Sequence, residues 1–174
     1  SRRRKGRKTV VGHWQDPRTL ERIAGWQRVA AAWADSQDMR IIRFGDQMNN
    51  VAVTDGDKVE AEIRFGFHVD YVPFSEVMTY FEKVEDKAVD ELVQVYFNEY
   101  DHAPELEDKA TEAYRKVWNS AKAELTLRAV LEAYGAKAFT SNFDDLGDVN
   151  VEETGKGFDQ IPGLASQRLM ADGY

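Results

Sequence analysis

Apolar positions along this chain alternate between short continuous runs and a spacing of three to four residues, the pattern of strands alternating with helices. Four runs read as strands: "TVVG" (Thr9–Gly12), "MRIIRFG" (Met39–Gly45), "FHVDYV" (Phe67–Val72) and "KAFTSNF" (Lys137–Phe143). Between the first two, Asp16 is placed to cap a helix and Pro17 to occupy its first position, where the missing N–H has no cost. Ile23, Trp26, Ala30 and Trp33 then form one apolar stripe. Thr54 and Asp57 have the spacing of a capping box, and Val59 with Ile63 would form the inner face of a short helix. Helical spacing returns from Phe74 to Val84, from Asp86 to Tyr100 and from Leu106 to Tyr134. In the last, Ala113, Val117, Ala121 and Leu125 share a side and Gly135 suits the C-terminal stop. Asp144–Gln160, rich in glycine and acid, reads as a loop, and Pro162 opens a helix that runs nearly to Tyr174.

Strands separated by helices pair in parallel, because a tight turn cannot reach a parallel neighbour. The expectation is a three-layer α/β domain, flavodoxin- or Rossmann-like. It would have an open parallel sheet of about four strands, helices on both faces and right-handed crossovers. In such sheets ligands bind beyond the carboxyl ends of the strands. Three segments fall there: "GDQMNN", "DYVPF" and "SNFDDL". Asp46, Gln47, Asn49 and Asn50 would supply polar groups, and Met48 and Phe143 apolar walls. The plainer alternative makes the polar residues turn formers and Met48 core filler.

Composition narrows the functional classes. With 174 residues, 43% hydrophobic and 31% charged, the chain suits one globular domain, and no apolar run is long enough to span a bilayer. There are no cysteines, which removes thiol chemistry and thiolate metal sites. A net charge of −8 argues against nucleic acid as the main partner, although six of the first eight residues are basic. No aromatic residue interleaves that cluster, so it reads as a solvated lead-in. His13, His68 and His102 are the only histidines. His68 and Asp70 share a strand face and could touch a metal, although such a pair is more often a surface hydrogen bond. No nucleophile elbow, phosphate loop or dinucleotide fingerprint is present. The pattern is a binding rim without a working set of catalytic groups.

"VVGHWQDPRTLERIAGW" (Val10–Trp26), "RFGDQMNNVAVTDGDKVEAEIRFGF" (Arg43–Phe67), "KAFTSNF" and "QIPGLASQRLMADGY" (Gln160–Tyr174) together resemble the L-arabinose isomerase family, specifically its central part. Residues 9–174 would then be a central domain preceded by the basic lead-in of residues 1–8. The resemblance implies interconversion of L-arabinose and L-ribulose with manganese (Mn2+) or a similar divalent ion. That ion stabilises an enediol-like state while carboxylates shuttle the proton. It also implies a cytoplasmic homo-oligomer of three-domain subunits, with a sugar as substrate and neither nucleic acid nor membrane as partner. Carried over by position, the family's sugar-lining methionine falls on Met48 and its phenylalanine on Phe143. Its metal ligands and catalytic groups would lie outside this chain, so none is assigned here and the piece alone would be inactive. Gln47 stands where the family has asparagine, "HVDYVPF" departs from its pattern, and the loop Gly147–Asp159 is longer than its common form. The alternative is a non-catalytic binding or assembly module that keeps the same scaffold.

Overall fold

The computed structural model describes residues 8–48, 50–142, 158 and 160–174. The elements are α1 (Pro17–Ser36), β1 (Arg40–Phe44), α2 (Lys58–Phe65), β2 (His68–Val72), α3 (Phe74–Phe81), α4 (Asp86–Glu99), α5 (Glu112–Tyr134), β3 (Ala138–Ser141) and α6 (Gly163–Ala171). Single 3-10 turns at Ala52–Thr54 and Pro104–Leu106 lead towards α2 and α5.

The sheet is parallel, in the order β2-β1-β3. In register, Arg40 faces His68 and Phe44 faces Val72 on one side of β1, while Ile41 faces Ala138 and Phe44 faces Ser141 on the other. Ile42, Phe44 and Val72 point to one face and meet Val77 of α3, Leu127, Val130 and Leu131 of α5, and Ala165 and Leu169 of α6. Phe158 joins this core, with ring centroids 5.7 Å from both Phe74 and Phe81. A second cluster sits on the other side of α5, where Val89, Val93 and Tyr96 of α4 pack with Tyr114 and Ala121. Helix α5 therefore has two buried sides, which suits a helix sandwiched between layers. Tyr134, near its C-terminal end, donates to Glu76 Oε1 of α3 at 2.7 Å. That bond, with burial adding to it, pushes the Tyr134 phenol up to about 12.

Several sequence expectations needed correction. Thr9–Gly12 forms no strand and joins no sheet, so the described sheet has three strands rather than four. Two valines are too short a signal on their own, and with no strand edge alongside Val11 is left 81% exposed. Asp57 does not complete a capping box from Thr54. It is itself the N-cap of α2, accepting the Glu60 amide at 2.8 Å. Val59 and Ile63, expected on the inner face of α2, are 69% and 74% exposed. Helix α5 begins at Glu112 rather than near Leu106, because the Thr111 hydroxyl takes the Tyr114 amide and sets the N-terminus there. Asp16 and Pro17 do start α1, and Gly135 ends α5 in the left-handed conformation (φ 61°) that favours glycine.

Candidate functional site at the sheet rim

At the carboxyl end of β1 the Gly45 amide still donates to the Val72 carbonyl at 3.0 Å. Gly45 then takes φ 75°, a left-handed turn natural to glycine, and the chain leaves the sheet as Asp46–Gln47–Met48. One side chain organises this exit. Arg43 donates from Nη2 to Asp46 Oδ1 at 2.9 Å and from Nη1 to Gln47 Oε1 at 3.2 Å. Its guanidinium also lies over the Tyr71 ring of β2, 5.5 Å from the centroid. Asp46 Oδ1 accepts the Gln47 amide as well, at 2.9 Å, so the carboxylate closes its own turn. Just past β3, the Asn142 side-chain amide donates to the Asp46 carbonyl. The half-buried Met48 is anchored through its carbonyl, which accepts the Val51 amide at 3.1 Å and the Thr54 hydroxyl at 3.2 Å.

The rim thus links the ends of β1, β2 and β3, as the topology requires. Asp46 and Gln47 are both engaged with Arg43, Gln47 half-buried and Asp46 still exposed. Asn50 is exposed, while Asn49 and Phe143 lie outside the described residues. Arg43 was not among the residues picked from sequence. Its signal is a charge in the strand "RIIRF", on the face opposite Ile42 and Phe44. Its Nε is buried with no partner among the described residues.

The family model for the L-arabinose isomerase central domain matches residues 40–174, and that for the N-terminal domain of the same enzyme matches residues 1–38. The chain belongs to the L-arabinose isomerase family. It is 67% identical over all 174 residues to the L-arabinose isomerases of Phocaeicola vulgatus and Bacteroides thetaiotaomicron, and 45% identical to that of Flavobacterium johnsoniae. In each case it spans about a third (33%) of the relative's length. The boundary between the two family domains falls between α1 and β1.

The family resemblance implies a divalent ion. No group of three or more His, Asp or Glu side chains among the described residues is arranged to hold a metal. His68 and Asp70, the pair considered from spacing, turn to different partners. His68 lies 3.3 Å from Glu62 and 3.7 Å from Asp38, and Asp70 accepts from Arg40 at 3.1 Å. His102 stacks on Phe97, with centroids 4.5 Å apart. Its bond to the Tyr100 carbonyl, followed by that to Glu107, raises its pKa above the ordinary histidine value. These residues do not fit the ion. No described helix is long and apolar enough to cross a membrane.

Proposed function

We propose that these residues form part of an aldose–ketose isomerase that interconverts L-arabinose and L-ribulose. The supporting observation is the match to two consecutive domains of one enzyme, at 67% identity to its relatives across the whole chain. In this reading Met48 and Phe143 line the sugar, and the Arg43–Asp46–Gln47 clamp holds the Met48 loop against the sheet. The thioether of Met48 gives the pocket an apolar wall, which keeps water from the carbons between which the proton moves. Manganese or a similar ion, and the carboxylates that carry the proton, would come from other parts of a longer, oligomeric cytoplasmic subunit. The 174-residue chain would supply pocket walls and scaffold without turnover of its own.

The test is ketose formation from L-arabinose with manganese present, for this chain and for the full-length subunit. Turnover is expected only in the full-length subunit, and equal rates from the chain alone would refute the division of labour. In the full-length subunit, Met48→Ala should lower kcat/KM for L-arabinose about tenfold, mainly through KM, the usual scale for losing an apolar pocket contact. An unchanged KM would remove Met48 from the pocket.

A further inference from the structure

Helix α1 has an apolar face that none of the described residues covers. Ile23, Trp26, Val29, Ala30 and Trp33 fall within an arc of about 120° at helical spacing. Ile23 is 38% exposed, Trp26 47%, Val29 59% and Trp33 53%. The helix contributes no residue to either buried cluster among the described residues. Polar bonds tie its C-terminal end to the elements that follow. Ser36 Oγ and Gln37 Nε2 donate to the Phe65 carbonyl at 3.2 and 2.8 Å, and Lys137 pairs with Asp35. A twenty-residue amphipathic helix draws most of its stability from packing such a face, so one left open is incomplete.

The face also has a socket. Gly25 sits mid-helix, where glycine weakens the helix relative to alanine. A Cβ added there would meet only the tip of Arg28, at 3.9 Å. Lys8, Arg22, Gly25, Trp26 and Val29 surround a hollow of about 270 Å³ at this point. Among the described residues the Lys8 ammonium approaches it, 4.9 Å from the centroid of the Trp26 ring.

We propose that this face is the docking surface for the remainder of the N-terminal domain in the full-length subunit, with an apolar side chain of that domain seated over Gly25. Two observations favour this occupant over a second copy of the chain. Residues 1–38 match the N-terminal domain while everything from residue 40 matches the central one, so α1 belongs to a different packing unit from the sheet it adjoins. The relatives are about three times as long as this chain, so polypeptide is available to complete that unit.

The experiment places a thiol on the face. The chain has no cysteine, so Val29→Cys introduces the only one it contains, and labelling at residue 29 by a maleimide can be followed by peptide mass mapping in this chain and in the full-length subunit. Labelling should be at least about tenfold slower in the full-length subunit, as for any site reached only by local opening. Gly25→Leu provides the second arm. It should be tolerated by this chain, which has open space there, and should abolish the protection of residue 29 in the full-length subunit. Equal labelling in the two proteins would overturn the proposal. So would protection that appears in the 174-residue chain alone as its concentration rises, which would assign the face to a second copy.

Discussion

Replacing Glu124 with alanine should destabilise the chain by about 3–5 kcal/mol in urea unfolding, the usual cost of breaking a buried ion pair by removing one partner. Glu124 is 1% exposed in the middle of α5. Its carboxylate accepts from Tyr96 Oη at 2.7 Å, and from Arg168 Nε and Arg128 Nη2 at 2.9 Å each. One buried charge therefore joins α4, α5 and α6. Arg168 also donates to Glu99, and Arg128 reaches Asp172 at the end of α6. Without Glu124 the two guanidiniums, 12% and 25% exposed at the side chain, would face each other across the gap with their shared counter-charge gone. Burial, then the bond to Glu124, holds the Tyr96 phenol well above the ordinary tyrosine range, so its titration should move down in the variant. Glu124→Leu combined with Arg168→Met should recover much of the loss, because a well-packed apolar pair can replace a buried ionic one. A single-variant loss below about 1 kcal/mol would show that the network contributes little to stability.

Phe44→Ala should lower stability by about 3–5 kcal/mol, the range for emptying an aromatic site in a core. Phe44 is fully buried at the carboxyl end of the central strand. Its ring packs 6.0 Å from Phe139 of β3, and its neighbours Ile42, Val72 and Leu127 are themselves fully buried. Such surroundings cannot collapse far into the space left behind. Tyr71→Ala is the control on the opposite face of the sheet. Tyr71 is 50% exposed, and its loss should cost no more than about 1 kcal/mol. If the two variants unfolded at the same denaturant concentration, the assignment of sheet faces would be wrong.

The strand holding Phe44 was legible before any coordinates as the apolar run Met39–Gly45, but "RIIRF" has apolar residues on both faces, and the structure put Ile42 and Phe44 on the core side. The rim loop was legible for the same reason, because parallel topology sends every strand end to one edge. Glu124 was not. It lies between Ala123 and Leu125 on a helix whose pattern shows one apolar side, and a charge there reads as solvent-facing until α6, which begins about forty residues later, brings Arg168 to it. Arg43 was hidden in the same way: its clamp residues are local, but its burial depends on Tyr71 from a different strand.

What the chain determined by itself is whatever depends on neighbours in sequence. Asp16 and Pro17 start α1, Thr111 and Gly135 bound α5, and the long string around Gly45–Phe67 identifies the family. Tertiary structure decided which apolar faces are covered and which charges are paired. Val59 and Ile63 have the spacing of an inner face yet stand exposed, and the Trp26–Trp33 stripe of α1 is equally well formed and equally uncovered. Periodicity shows that a face is apolar, but burial requires a second surface at contact distance, and that surface is supplied by residues far away in sequence.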